Sequence, residues 1–266
     1  MIHKTAIIHP DAEIGKGVSI GPYSIIKGNV KIKNNTIIES HVVIESFTEI
    51  GENCRIFQFA SIGGIPQDLK FKGEESYLII GNNNIIREFV TINRGTKGGG
   101  GVTRIGDGNL IMAYTHIAHD CNIGDNVILA NCATLAGHII IEDYAIIGGL
   151  VPIQQFVRIG AHAYIGGLTG IIKDVPPYTI SSASSSGNRA RLFGINVIGL
   201  RRRGFPSKII EDLKKCYRIT FKSGLTIKNA IDRIKKEIEP SKEVSHFIEF
   251  IESSRIGVVR GGDEKD

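Results

Sequence analysis

IGDGNLIMAYTHIAHDCNIGDNVILANCATLAGHIIIEDYAIIGGLVPIQQFVRIGAHAYIGGLTGI, residues 105–171, returns an aliphatic side chain at every sixth position. The series is Ile105, Ile111, Ile117, Ile123, Leu129, Leu135, Ile141, Ile147, Ile153, Ile159, Ile165 and Ile171. A helix repeats every 3.6 residues and a half-buried strand every 2, so neither element alone produces a strict six. Six residues fit one flat side of a triangular coil, with one aliphatic side chain pointing at the axis. Three such sides predict a solenoid turn of about eighteen residues.

The same spacing runs backwards almost to the first residue, through Ile2, Ile8, Ile14, Ile20, Ile26, Ile32, Ile38, Ile44, Ile50, Ile56 and Ile62, and again at Ile80, Ile86 and Ile92. Of these 26 positions 24 are isoleucine, whose branched side chain suits short extended segments. Two excursions interrupt the phase, one polar and charged near 63–79 and one glycine-rich near 96–104. Burying each isoleucine contributes roughly 1.5–3 kcal/mol, while ordering backbone costs about 1–2 kcal/mol per residue. A single coil loses that contest, and a stack with paired backbones about 4.8 Å apart wins it. Turn-prone runs such as IGKGVS, IGENCR and IGDNVI supply the corners.

The repeat is expected to stop at DVPPY (Asp174 to Tyr178), giving a solenoid over 1–178. A Ser- and Gly-rich linker is expected over 179–205, helices over 206–262, and a frayed tail over 263–266. Thr226 and Ser241 can cap helices whose apolar faces are Ile227, Ile231, Ile234, Ile238 and Val244, Phe247, Ile248, Ile251; an earlier helix would carry Ile209, Ile210, Leu213 and Tyr217. Such helices would cover one open end of the stack, whose strand edges would otherwise lie unpaired.

Tryptophan is absent and aromatics are 7%, so Ile and Leu must build the core; the 32 glycines suit many tight corners. The N-terminus lacks the basic region and apolar run of a secretory signal, and no stretch reaches the roughly 18 apolar residues of a membrane span. Cys54, Cys121, Cys132 and Cys216 have no CxxC spacing and read as reduced, packed thiols in a cytoplasmic protein. Residues 1–200 balance 16 basic against 16 acidic side chains, so the +5 net charge sits in the last quarter, where it would attract acidic partners. No nucleic-acid motif accompanies it.

Chemistry concentrates in HIAHDC, which holds His116, His119 and Asp120, and in AGH, which places His138 nineteen residues after His119. One coil per eighteen residues brings these histidines to one side of the prism. A neutral imidazole can take a proton from a hydroxyl near pH 7, and a carboxylate at its other nitrogen would fix the tautomer. His3, His9, His41, His162 and His246 lack local partners and read as structural.

The hexapeptide repeat, QDLKFKGE (Gln67 to Glu74), INRGT (Ile92 to Thr96), YTHIAHDC, LAGH, QQF, DVPPY and RRRGF together resemble the UDP-N-acetylglucosamine 3-O-acyltransferases of lipid A biosynthesis, from Met1 to about Arg260. The resemblance implies a left-handed parallel β-helix with a C-terminal α-helical cap, in a cytoplasmic homotrimer of a Gram-negative bacterium with active sites between neighbouring prisms. It implies transfer of a 3-hydroxyacyl group from acyl carrier protein to the 3-hydroxyl of UDP-N-acetylglucosamine, with no metal and no resident cofactor, the phosphopantetheine arriving on the carrier protein. His119 would be the general base, Asp120 would orient it, and the Gly137 N–H would stabilise the oxyanion. Lys70, His116, His138 and Gln155 would line the cleft, Gln67 and Asp68 would hold the sugar, and Asn196, Arg202 and Arg203 would bind the nucleotide. Gly167 matches a position that sets acyl length, and a glycine there leaves room for a long chain. Asn93 and Gln154 replace histidines common in the family, Arg189 stands where a GN-His motif would place a histidine, and Ile198 stands where some members have Glu.

Other readings compete with this one: acylation of a 3-amino nucleotide sugar, a zinc hydratase of the hexapeptide class using three histidines across a subunit boundary, and a non-catalytic scaffold. A sister N-acyltransferase group generally carries an extra N-terminal uridine-binding domain, whereas this chain opens directly in repeats.

Overall fold

The computed structural model describes residues 1–184 and 187–261. The expected tail over 263–266 lies outside the described residues. Three sheets of eight, eight and ten strands, parallel except for one antiparallel pair at the end of the last, wrap into a triangular prism, each coil contributing one strand to every sheet. The architecture is a left-handed parallel β-helix with a helical cap. For orientation, face A carries Ser19–Ile20, face B Ile25–Ile26 and face C Val30–Ile32, and each later coil repeats that order.

The six-residue series forms the inner column. Ile117 pairs with Leu135 and Leu135 with Ile153 on face B; Ile105, Ile123, Ile141 and Ile159 stack in the same way on face C. From Ile20 to Ile171 every member of the series is buried. Ile2, at the end of the described stack, is 49% exposed, and Ile8 and Ile14 are half-buried. The excursions leave the stack in phase, since Ile50 pairs with Ile80 and Ile80 with Ile105.

A second buried column stands two residues before the first and consists of small side chains, among them Val18, Ser24, Thr36, Cys54, Asn84, Thr103, Thr115, Cys121 and Ala133. Its polar members bond to backbone turning the corner: Ser24 Oγ donates to Glu39 O at 2.7 Å, and Asn84 Nδ2 donates to Gly106 O at 2.8 Å. Cys54 and Cys121 belong to this column as packed thiols, and burial pushes Cys121 up to about 12.

The corners recur at non-glycine residues in the left-handed region. Tyr23, His41, Phe59, Phe89, Tyr114, Cys132, Leu150 and Leu168 form the edge between faces A and B. Asn29, Phe47, Asp120, His138 and Phe156 form the edge between B and C, and Asn126, Tyr144, His162 and Tyr178 that between C and A. Each such residue costs about 1–2 kcal/mol. Stacking along the edge offsets this: Phe59, Phe89 and Tyr114 lie face to face at 5.0 and 4.8 Å.

The serine-rich stretch expected as a linker is a β-hairpin. Thr179–Ser184 pairs antiparallel with Gly187–Ile195 and parallel with Tyr164, so the stack continues one strand past DVPPY. Helices follow: α1 (Val197–Arg202), α2 (Ser207–Phe221), α3 (Ile227–Glu237) and α4 (Lys242–Glu252). Thr226 and Ser241 cap α3 and α4 by accepting from Asn229 N and Val244 N. After Glu252 the chain returns to the prism, where Val258 bridges Asp174 and Ser254 Oγ donates to Asp174 Oδ2 at 2.8 Å. The cap thereby seals one end of the stack. Among the described residues, no helix is long and apolar enough to cross a membrane.

Candidate active site

Asp120 and His138 occupy the same corner of successive coils, with φ of 61° and 60°, and His138 N donates to His119 O at 3.0 Å. His119 precedes Asp120, so its ring lies over the position Gly137 takes one coil later. A Cβ built on Gly137 would meet His119 Cε1 at 2.5 Å, so only glycine leaves room for the imidazole there.

His119 Nδ1 lies 2.8 Å from Asp120 Oδ2. An ionised carboxylate can only accept, so Nδ1 carries the proton and Nε2 holds the free lone pair. His119 is 7% exposed and the Asp120 side chain is fully buried. The carboxylate is held from its other side as well: Thr96 N donates to Oδ1 at 2.8 Å and Thr96 Oγ1 to Oδ2 at 2.7 Å, while Asp120 N donates to Thr103 Oγ1 at 2.8 Å. Gly99 lies against the same carboxylate, where a Cβ would fall 2.0 Å from Cγ. Thr96 and Gly99 belong to the glycine-rich excursion, and no sequence signal tied them to Asp120 beyond that break in phase.

His138 Nε2 sits 3.6 Å from Asp120 Oδ2, and its ring stands edge-on to His119 at 5.2 Å and stacks on Phe156 at 4.7 Å. Burial lowers its pKa, against the opposing pull of Asp120. His116 points outward from face B and shares a 2.7 Å hydrogen bond with Thr91 Oγ1; burial and then the neighbouring His119 lower its pKa. Both are therefore neutral at pH 7.

Asp68, Lys70, His138, Gln155 and Phe156 line one open cleft of about 810 Å³, together with Thr96 and Lys97. Gln67 is exposed beside Asp68 and does not line it. The expected nucleotide residues stand elsewhere in the protomer. Asn196 caps α1 and donates to His162 O at 3.0 Å, Arg203 lies over the Tyr144 ring at 4.3 Å, and Arg202 is exposed. Asn196 and Arg203 thus belong to the edge between faces C and A, not to the edge of His119. Gly167 lies beside Leu168 on the edge between A and B. Asn93 is buried and donates to Ile65 O at 2.9 Å, while Gln154, Arg189 and Ile198 are exposed.

The nearest ligand-capable atoms of His119, Asp120 and His138 lie within 4.8 Å of one another. Three protein donors already occupy the Asp120 oxygens, which leaves two imidazole nitrogens where catalytic zinc takes three protein ligands. The arrangement suits proton transfer better than metal binding.

A family model described as UDP-N-acetylglucosamine O-acyltransferase, domain 2, matches residues 174–259, and one for six bacterial transferase hexapeptide repeats matches residues 103–137. The acyl-[acyl-carrier-protein]–UDP-N-acetylglucosamine O-acyltransferase of Thermodesulfovibrio yellowstonii is 57% identical over 259 residues, 97% of this chain and 99% of that protein. The chain belongs to this acyltransferase family. Solved acyltransferases agree: LpxA from Acinetobacter baumannii has a TM-score of 0.93 at 49% identity, covering 97% of this chain and 99% of its own. The Francisella novicida UDP-N-acetylglucosamine acyltransferase has 0.95 at 43%, covering 100% and 95%. The likeness to these acyltransferases spans both prism and cap.

Proposed function

We propose that this protein transfers a 3-hydroxyacyl group from acyl carrier protein to the 3-hydroxyl of UDP-N-acetylglucosamine, the first step of lipid A biosynthesis, in the cytoplasm of a Gram-negative bacterium. Family membership supports the reaction class, and one observation carries the chemistry: a buried imidazole whose Nδ1 is fixed by Asp120 while Nε2 stays free. In this reading His119 Nε2 takes the proton of the sugar hydroxyl, and the oxygen attacks the thioester carbonyl. The Gly137 N–H, which donates no hydrogen bond among the described residues, faces the developing oxyanion. Collapse breaks the C–S bond, and the imidazolium returns its proton to the leaving phosphopantetheine thiolate. No acyl-enzyme forms and no resident cofactor is needed. Asp68, Lys70, His138 and Gln155 serve as the walls that hold the substrates.

The surface of the prism supports a homotrimer. The edge between faces A and B is a ladder of exposed apolar side chains, with Tyr23, Phe59, Tyr114, Leu150 and Leu168 each 48% exposed or more. If three copies bury that edge on a common axis, face B of one meets face A of the next. His119 of one copy then lies beside the edge that bears Asn196 and Arg203 of its neighbour, which completes the nucleotide site.

The test is acyl transfer by wild type and His119→Ala, using a panel of acyl carrier proteins charged with different chains and both 3-hydroxyl and 3-amino nucleotide sugars, with products weighed. The expected result is an O-acylated sugar and a fall in turnover of about 10²–10⁴ for the variant. A variant near wild type removes the base assignment, and an N-acylated product alone overturns the acceptor.

A further inference from the structure

Thr96 makes two hydrogen bonds to one carboxylate across 24 positions of sequence, and both are buried. Its side chain also accepts from Gly99 N at 3.2 Å, which closes a short 3-10 turn over the carboxylate (Lys97–Gly99). That turn is tied to the QDLKFKGE excursion through Glu74, which accepts from Lys72 N at 2.8 Å and Lys97 N at 3.3 Å. The carboxylate thus has two opposing claimants on Oδ2, the Thr96 hydroxyl at 2.7 Å and His119 Nδ1 at 2.8 Å.

We propose that Thr96 is a positioning residue: it fixes the plane of the Asp120 carboxylate and shares its charge, and so sets both the aim and the basicity of His119. This rests on His119 being the base. A hydroxyl donating to Oδ2 withdraws negative charge from the atom that holds the imidazole N–H. Removing it concentrates charge on Oδ2, stabilises the imidazolium and makes His119 a stronger base when free, while leaving the carboxylate freer to turn. The other ionisable groups facing His119 are His138 at 5.2 Å between rings and His116, whose pKa it helps to lower; Asp68 acts on His138, and Lys70, Glu74 and Lys97 line the adjoining cleft.

The experiment compares Thr96→Val, Thr96→Ser and Gly99→Ala with wild type by kcat, KM and the pH profile of kcat/KM, each variant first checked for an unchanged melting transition. Thr96→Val is expected to lower kcat about 10- to 100-fold, the worth of one hydrogen bond to a charged group, with KM nearly constant. The acid limb of its profile should move to higher pH. Thr96→Ser, which keeps the hydroxyl, should restore both, and Gly99→Ala should lose kcat because its Cβ would crowd the carboxylate. If Thr96→Val fails to fold, the Ser and Gly99→Ala variants carry the test. Wild-type kinetics in Thr96→Val, or an equal loss in Thr96→Ser with the acid limb unmoved, overturns the proposal. An inert His119→Ala beside an unaffected Thr96→Val sinks this inference alone, whereas an active His119→Ala sinks the base assignment beneath it.

Discussion

Replacing Gly137 with alanine should disable the enzyme while leaving its fold intact. The new Cβ would stand 2.5 Å from His119 Cε1, 2.8 Å from Nε2 and 3.1 Å from Nδ1. Carbon atoms in good contact sit about 3.5–4.0 Å apart, so the ring must retreat by roughly 1 Å. It has little room, because Nδ1 is held at 2.8 Å by Asp120 and the His138 ring stands edge-on nearby. Gly137 does not adopt a positive φ, so alanine brings no backbone strain, and it keeps the N–H proposed to meet the oxyanion. A misplacement of about 1 Å at a reacting atom costs on the order of 10²-fold, or about 2.7 kcal/mol of barrier. The assay is initial rates at saturating acyl carrier protein and nucleotide sugar, alongside a thermal melt. The expected outcome is a fall in kcat of that order with KM and melting temperature little changed. A kcat within about threefold of wild type would refute the claim that Gly137 exists to seat His119.

Ile141→Asp should lower stability by at least about 3–5 kcal/mol, because it sets an unpaired charge between Ile123 and Ile159; an unchanged melting temperature would show that the column does not face inward. His162, stacked between Tyr144 and Tyr178, is pushed down to about 4 by burial first and Arg203 second, so it is neutral in the fold and takes up a proton near 6.5 when unfolded. The unfolded chain binds more protons in that window, so its contribution is complete above pH 6.5 and is lost as pH falls towards 4. Melting temperatures between pH 7 and pH 4 should therefore drop more steeply for wild type than for His162→Gln, and parallel curves would remove His162 as the cause.

The inner column was legible because one residue type at a fixed interval leaves a period that no helix or flat strand shares. The second column was not, because Ser24, Thr36, Cys54, Asn84 and Ala133 have size in common rather than hydropathy, and their polar atoms are satisfied only after the corner has formed. The strand pair at Thr179–Ser184 and Gly187–Ile195 was obscured in the same way: Thr179 and Ser181 are fully buried, yet their composition reads as solvated loop. At the site, His119, Asp120 and His138 declared themselves through spacing near one coil. Thr96 could not, since its distance in sequence from Asp120 includes an excursion whose path the repeat does not specify. The placement of Asn196 and Arg203 on another edge also lay beyond a periodic reading, which counts coils but does not say how prisms meet.

The two tips of the prism differ in kind. One is sealed by helices and the returning segment at Val258, while at the other Ile2 stands in the open. In a structure that touches only its nearest layers, opening begins where a layer has one neighbour instead of two. Among the described residues, loss of order is therefore expected to start at that outermost coil and travel inward, and several layers separate it from His119 and Asp120. The length of rod below His119 acts as a sacrificial margin, and the proposed base sits towards the guarded half.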